Sequence, residues 1–231
     1  MARKPKRERK APTPPPPRGA SDRDKAIDAL IALLAEQSFE DIGLAEVAGR
    51  AGLKLSQLRA EFGSTLGIFA AHIKDIDRAV LAGGEDMTDE PPRERLFDVL
   101  MRRLEAMAPY KEAVRSMLRS ARRDPPLALA LNALAVRSQR WMLEAAGINA
   151  SGPKGALRAQ GAALLFARVL GVWLHDEDPA LDRTMAALDR GLSNAERWDG
   201  FVGDLLCIPK CILRGPRRRR HYRDEEEVEA A

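Results

Sequence analysis

A short run of hydrogen-bonding side chains around residue 57 is the part of the sequence best suited to chemistry with a base edge or a phosphate. Gln57 and Arg59 can each form two hydrogen bonds with one base, which discriminates between bases by about 1–3 kcal/mol. Lys54 and Ser56 stand on the same exposed side of the predicted helix. We therefore interpret these four residues as a candidate surface for reading nucleic acid.

Two short predicted helices joined by a tight turn, over residues 43–62, would position these side chains. Gly52 ends the first helix, since glycine readily adopts the left-handed conformation of a sharp exit. The pattern is that of a helix-turn-helix, whose second helix lies in the DNA major groove. Many helical hairpins never bind DNA, so a purely structural hairpin is the alternative. The predicted apolar faces comprise Leu44, Val47, Ala48 and Ala51 in the first helix and Leu55, Leu58 and Phe62 in the second.

Residues suited to metal or nucleophilic chemistry are scattered. The run from His175 to Asp178 resembles a metal cluster, but acids before a helix start more often cap that helix. Cys207 and Cys211 lie four residues apart, without a second pair or a histidine to complete a tetrahedral set. We expect no metal, no cofactor and no catalytic residue, and an enzyme is the least supported class.

One charge stands inside an apolar stretch near the C-terminal third of the chain. Arg168 interrupts the run 164–170, and its burial without a partner would be costly. The alternatives are an ion pair with an acid such as Glu105 or Glu144, or an anchor for the polar end of a ligand. Large side chains that could line an apolar ligand pocket with it, or equally pack a core, are Trp141, Met142, Phe166 and Trp173.

Charge is unevenly distributed along the 231 residues, whose formal net charge is +4. Residues 1–20 hold seven lysines or arginines against one glutamate and include a proline run. We expect a disordered basic arm there, which either follows DNA phosphates or only aids solubility. We expect a second disordered, charged tail at residues 214–231. Residues 21–82 carry seven cations and ten anions, which is unusual for a domain that binds DNA.

The rest of the sequence predicts helices, with hydrophobic content of 45% and apolar stripes at helical spacing. We expect an all-α protein with a three-helix, helix-turn-helix domain at 21–82 and a helical ligand-binding and dimerisation domain at 91–206. A last long helix opens at Asp178–Pro179. The basic N-terminus lacks the apolar region of a signal peptide, and the longest apolar run is too short for a transmembrane segment. Two cysteines suit a reducing, cytoplasmic setting.

The run from Ile27 to Phe69 resembles the N-terminal domain of the TetR family of bacterial regulators. The matching segments are Ser38–Glu40, Glu46–Ala48, Arg50–Leu53 and Phe62–Ser64. The resemblance implies a homodimer with homeodomain-like reading domains, in which a ligand in the C-terminal domain changes their spacing. Gln57 and Arg59 would read bases, while Lys54, Ser56, Thr65 and the basic arm would contact phosphates.

Some positions depart from the family pattern. Gly43 and Lys54 stand where a serine or threonine usually caps a helix, and a lysine cannot accept an amide N–H, which forfeits about 1 kcal/mol. Thr65 replaces a usual lysine, and Glu61 places an anion near the DNA-facing surface. These departures predict that fewer side chains of this surface can contact DNA than in typical members of the family.

Residues 93–198 also resemble the ubiquinone-biosynthesis accessory family, which has a TetR fold adapted to lipid binding. The similar segments are Arg95–Met101, Trp173–Asp176 and Leu181–Asp189. Our prediction is a TetR-type regulator, typically a repressor, that binds double-stranded DNA as a homodimer and responds to a small apolar effector. The alternative is a lipid- or quinone-precursor-binding accessory protein with a vestigial helix-turn-helix.

Overall fold

The computed structural model describes residues 21–83 and 89–194, and every regular element within those ranges is helical, as predicted. The N-terminal helices are α1 (Asp22–Glu36), α2 (Leu44–Ala51), α3 (Leu55–Glu61) and α4 (Thr65–Ala82). They are followed by α5 (Pro92–Met107), α6 (Lys111–Arg123), α7 (Pro125–Ala145) and α8 (Gly152–Trp173). A further helix, α9, covers 182–194. Short 3-10 turns lie at Phe39–Asp41 and Ala108–Tyr110. The basic arm, the charged tail, Cys207 and Cys211 lie outside the described residues.

Several helix ends follow directly from the side chains at those positions. The Ser21 hydroxyl accepts the backbone N–H of Asp24 at 3.1 Å, and the Ser64 hydroxyl accepts that of Gly67 at 3.0 Å. Gly52 ends α2 with φ 66° and ψ 30°, which confirms the predicted left-handed exit. These caps fix where α1, α2 and α4 begin or end.

The helix predicted to open at Asp178–Pro179 begins at residue 182 instead. Asp176 explains the shift, because its Oδ2 accepts the backbone N–H of Thr184 at 2.9 Å and its hydroxyl at 2.7 Å. The hydrogen bond from the Thr184 hydroxyl also lowers the pKa of Asp176. This carboxylate therefore caps α9, which is the capping alternative given above.

Two apolar cores organise the chain, and α4 belongs to both. The first core joins α1 to α3 and the start of α4, a group of elements that we call the reading head, to Ala113, Met117 and Leu127 of α6 and α7. The second core joins the end of α4 to α5, the second half of α7, α8 and α9. Since Phe69 packs in the first core and Ile76 in the second, α4 carries the head into the body of the protein.

Helix α6 adds polar contacts between the head and the body. The Ser116 hydroxyl donates to the carbonyl of Gln37 at 2.8 Å, and the Ser120 hydroxyl accepts the backbone N–H of Phe39 at 3.1 Å. Both serines are buried, with 3% and 2% exposure. The end of α1 and the first 3-10 turn are therefore fixed to α6 by hydrogen bonds as well as by apolar packing.

Candidate nucleic-acid interface

The four side chains of the candidate reading surface all lie on the exposed side of α3 or at its start. Lys54 is the N-cap of α3, and Ser56, Gln57 and Arg59 follow on its solvent-facing side. Leu58 is buried at 1% exposure against the first core and sets this orientation. Thr65 is half-buried in the first turn of α4. Lys54, Ser56, Gln57 and Arg59 are thus all exposed on α3 or at its start, whereas Thr65 lies on the next helix.

Gln57 holds α3 in place rather than pointing freely into solvent. Its Oε1 accepts the backbone N–H of Lys54 at 2.9 Å, and its Nε2 donates to Oδ2 of Asp22 at 2.9 Å. The first bond is one half of a capping box, and the other half is missing because the lysine ammonium is not an acceptor. Both ends of the Gln57 amide are therefore already hydrogen-bonded, one to the start of α3 and the other to α1.

Ion pairs engage four of the seven cations in residues 21–82. Arg23 donates to both carboxylate oxygens of Asp75 at 3.0 and 2.9 Å, and Arg50 pairs similarly with Glu36. Lys25 and Arg78 have acidic partners at 3.5 and 4.0 Å. Among the described residues 21–82, the cations without an ion-pair partner are Lys54, Arg59 and Lys74. Two of these three stand on α3 or at its N-cap.

Leu55 corrects the predicted apolar face of α3. It was expected to pack inward with Leu58 and Phe62, but its side chain is 55% exposed. The first residue of a seven-residue helix has no turn before it to cover, so it projects beside Lys54 and Ser56. An exposed leucine at this position can contact a thymine methyl group. The sequence did not reveal this exposure, because Leu55 has the spacing of the inward-facing apolar residues of α3.

The predicted ligand-pocket residues do not come together around a cavity. Trp141 is 59% exposed on α7, and Arg168 is exposed on α8, so the expectation that Arg168 is buried with an acidic partner is wrong. Met142, Phe166 and Trp173 are buried and fill the second core by packing. The face of α8 with Leu164 and Arg168 is apolar but open to solvent, which sequence alone could not distinguish from burial.

A small cavity lies instead where the head meets the body. It has a volume of about 30 Å³. Helix α4 contributes three apolar residues and a histidine, and α1, α5, α6 and the second 3-10 turn supply the rest. The lining comprises Ile31, Phe69, His72, Ile73, Ile76, Arg103, Met107, Tyr110, Ala113 and Val114. None of the predicted pocket residues is among them.

Arg103 is the buried charge of this region, with 5% exposure. Its Nη2 lies 3.1 Å from Oδ1 of Asp77, its Nη1 donates to the Ser138 hydroxyl, and that hydroxyl donates to the same Asp77 oxygen at 2.8 Å. The guanidinium carbon also stands 5.0 Å from the ring centre of Phe166. The Nε–H of Arg103 has no hydrogen-bond partner among the described residues.

Burial dominates the electrostatics of this pair. It raises the pKa of Asp77, and this outweighs the opposing influence of Arg103 and of the Ser138 hydrogen bond. Burial likewise lowers the pKa of Arg103, against the attraction of Asp77. The charges of Asp77 and Arg103 thus connect α4 to α5, and the Ser138 hydroxyl joins α7 to both by hydrogen bonds.

Comparison with solved structures identifies the fold. No protein-family model matches this chain, and no curated protein does either. A TetR transcriptional regulator from Nitrosomonas europaea superposes with a TM-score of 0.59 at 23% identity, covering 75% of this chain and 97% of that one. One from Rhodococcus sp. RHA1 gives 0.53 at 24%, covering 74% and 94%. A TetR-family regulator from Streptomyces coelicolor gives 0.52 at 14%, covering 86% and 91%.

The chain therefore has the fold of TetR-family transcriptional regulators, with a helix-turn-helix followed by a helical C-terminal part. At 14–24% identity, the likeness to these three regulators is one of fold. Within the described ranges no group of three or more His, Cys, Asp or Glu side chains could hold a metal ion. Helix α8 is long and apolar enough to cross a membrane, but a helix packed within a protein passes the same test.

Proposed function

We propose that this chain is a transcriptional regulator of the TetR type that binds duplex DNA through α3. The observation that carries the proposal is the selective distribution of charge on the head. Its ion pairs engage Arg23, Lys25, Arg50 and Arg78, whereas Lys54 and Arg59 stay unpaired at the exposed surface of α3. The resemblance in fold to TetR regulators supports the same use of this helix.

The side chains of α3 have different roles in this proposal. Arg59 reads a base edge, because a guanidinium can donate two hydrogen bonds to guanine. Lys54, Ser56 and Thr65 contact phosphates, and Leu55 packs against a thymine methyl. Gln57, predicted to read a base, is proposed to position α3 instead, since both ends of its amide are engaged.

The basic arm is proposed to add phosphate contacts. Residue 22 directly follows Ser21 and the arm, and its carboxylate lies 2.9 Å from Gln57 on α3. The attachment point of seven cations is therefore beside the reading surface. A basic segment attached there compensates for the excess of anions in residues 21–82.

The proposed homodimer is formed by α8 and α9. The exposed side of α8 carries apolar and small residues one or two turns apart, which suits close packing against a second helix. They are Leu157, Gly161, Leu164 and Val172, with Arg168 among them. The exposed side of α9 carries Asp182, Arg183 and Arg190, whose opposite charges can pair across a two-fold axis. Two heads would then engage half-sites one or more helical turns apart.

We further propose that the protein is cytoplasmic, has no catalytic role, and keeps the division into a reading domain at 21–82 and an effector-binding and dimerisation domain at 91–206. A small effector would alter DNA affinity by favouring one orientation of the heads.

The test is a salt-titrated DNA-binding curve on a duplex from the protein's own promoter and on a scrambled duplex. Arg59→Ala is compared with Arg50→Ala, a matched loss of one exposed positive charge that the structure places in an ion pair with Glu36. We expect the promoter duplex to bind at least ~10³-fold more tightly than the scrambled one. Arg59→Ala should reduce the preference for the promoter duplex about tenfold or more, whereas Arg50→Ala should change that preference by less than about twofold.

Deletion of residues 1–20 separates the arm from the head. We expect the deletion to weaken the salt dependence of DNA affinity but to preserve the preference for the promoter duplex. Equal binding to both duplexes, abolished by the deletion, would show that the arm is a nonspecific polycation. Equal effects of Arg59→Ala and Arg50→Ala would remove α3 as the reading helix.

A further inference from the structure

We propose that the cavity between α1, α4, α5 and α6 binds an uncharged, mostly apolar molecule with one hydrogen-bond acceptor, such as a ketone or lactone carbonyl, which pairs with the Nε–H of Arg103. The inference assigns a chemical class to the effector and rests on the proposed function only for its effect on DNA. The binding site itself is argued from the described side chains.

The unpaired Nε–H of Arg103 indicates that the ligand carries a hydrogen-bond acceptor. Arg103 lines the cavity, is 95% removed from solvent, and has both terminal nitrogens engaged by Asp77 and Ser138. Its Nε–H is left without a partner, which is unfavourable in a buried position. A ligand oxygen that accepts this N–H would satisfy the hydrogen-bonding requirement that Arg103 leaves open at the cavity.

The charges around Arg103 favour a neutral ligand over an acid. Asp77 already balances the guanidinium at 3.1 Å. A ligand carboxylate would place a second anion beside one cation in a buried region, and burial already disfavours the ionised form of Asp77. A carbonyl oxygen accepts the same hydrogen bond and adds no charge.

The walls require an apolar body for the ligand. Seven of the ten lining residues have aliphatic or phenyl side chains, and the remaining three are His72, Arg103 and Tyr110. His72 packs edge-on against Tyr110 with ring centres 4.5 Å apart. A molecule that enters must therefore offer apolar surface on most sides and a single polar atom toward α5.

The size of the cavity links binding to movement of α4. A volume of about 30 Å³ accommodates one or two water molecules, so a ring-sized ligand must displace lining side chains. Phe69, Ile73 and Ile76 are all on α4, which carries the reading head. The ligand then binds a widened conformer more tightly than the described one, and this difference is what can shift the heads.

Three probes of one ring size test the class of ligand. Cyclohexanone presents the carbonyl, methylenecyclohexane has nearly the same shape without an acceptor, and cyclohexanecarboxylate presents an anion. Saturation-transfer NMR on the full-length protein without DNA measures binding of each probe. We expect cyclohexanone to bind, and cyclohexanecarboxylate to bind at least about tenfold more weakly.

Two sets of variants locate the site and the donor. Val114→Phe on α6 fills the cavity, and Leu118→Phe is the matched control, since it is half-buried on the same helix but does not line the cavity. Asp77→Leu with Arg103→Met removes the donor together with its counter-charge. We expect Val114→Phe to abolish cyclohexanone binding and Leu118→Phe to retain it. In the double variant, the preference for cyclohexanone over methylenecyclohexane should fall about tenfold.

The outcomes separate this inference from the proposed function. No binding of cyclohexanone at millimolar concentration, equal effects of Val114→Phe and Leu118→Phe, or an unchanged preference in the double variant each overturn it. Promoter binding in the same preparation would then still support the regulator. If cyclohexanone binds through Arg103 but promoter DNA does not bind, the ligand site stands and the DNA-binding role fails.

Discussion

Loss of Arg103 alone should destabilise the protein far more than loss of Arg103 and Asp77 together. Arg103→Met leaves the Asp77 carboxylate buried at 7% exposure with only the Ser138 hydroxyl as a partner. Removing one member of a buried ion pair typically costs about 3–5 kcal/mol. At about 2–4 °C per kcal/mol for a chain of this size, the melting temperature should fall by roughly 6–20 °C.

The double variant Asp77→Leu with Arg103→Met should recover most of that loss. Replacing a buried pair with apolar residues of similar size is often neutral or stabilising, because neither charge then has to be desolvated. Arg102→Met is the matched control on the same helix. Arg102 pairs with Asp98 at 2.8 Å and donates to the Val80 carbonyl at 3.1 Å, but it is partly exposed, so its loss should cost about 1–2 kcal/mol, less than the loss of Arg103.

The assay is urea unfolding followed by circular dichroism at one fixed protein concentration, since a dimer's stability depends on concentration. Raising the pH should enlarge the defect of Arg103→Met. Asp77 has a raised folded-state pKa, so its contribution to stability is present below its unfolded pKa and is lost as pH rises through the folded value. Without Arg103 the folded pKa rises further, so the defect should be smaller at pH 5 than at pH 8. A single variant as stable as the double variant, or a defect independent of pH, would refute the reasoning.

Three more predictions follow from particular contacts. Ser120→Ala removes the acceptor of a backbone N–H in the first 3-10 turn, and should cost about 1 kcal/mol in urea unfolding and speed hydrogen exchange at that amide. Gly147→Ala should cost at least about 1 kcal/mol by thermal melting, because Gly147 has φ 74° and a Cβ there would lie 2.5 Å from the Arg95 guanidinium. Leu164→Asp on α8 should convert the proposed dimer to monomer in sedimentation velocity, whereas Leu129→Asp on α7, which replaces an even more exposed leucine, should not.

Helix positions were predictable because they depend on local signals. Ser21 caps α1 and Gly52 ends α2 through interactions within a few residues, and these are visible in the sequence. The stripes of α1 and α4 likewise follow from helical spacing. The all-α fold and the helix-turn-helix could therefore be predicted from the sequence.

The buried pair also had a signal in the sequence, although it was not used. Arg103 stands three residues after Leu100 and four before Met107, on the inward stripe of α5, and both of those residues are buried. Asp77 similarly stands three residues before the buried Val80. A charge at a stripe position predicts burial, and two such charges of opposite sign on successive helices predict a pair.

Other residues could not be placed from the sequence, because their surroundings depend on tertiary contacts. Arg168 lies among apolar residues that remain exposed on α8, so an apolar stretch did not indicate burial there. Gln57 was predicted to read a base, and only the approach of α1 to α3 shows that Asp22 engages its amide. For Gln57 the deciding partner, Asp22, is 35 residues away in sequence.

The negative charge of the reading head is compatible with DNA binding because the relevant quantity is local. At physiological salt, charges more than about 8 Å apart in solvent are largely screened. An anion farther than this from α3 therefore has little influence on a cation at the candidate surface. Glu36 and Asp75 are further reduced by the arginines that pair with them. The balance at α3 is between Lys54 and Arg59 on one side and Glu61 and Asp22 on the other, and the phosphate contacts proposed for the basic segment would add cations to it.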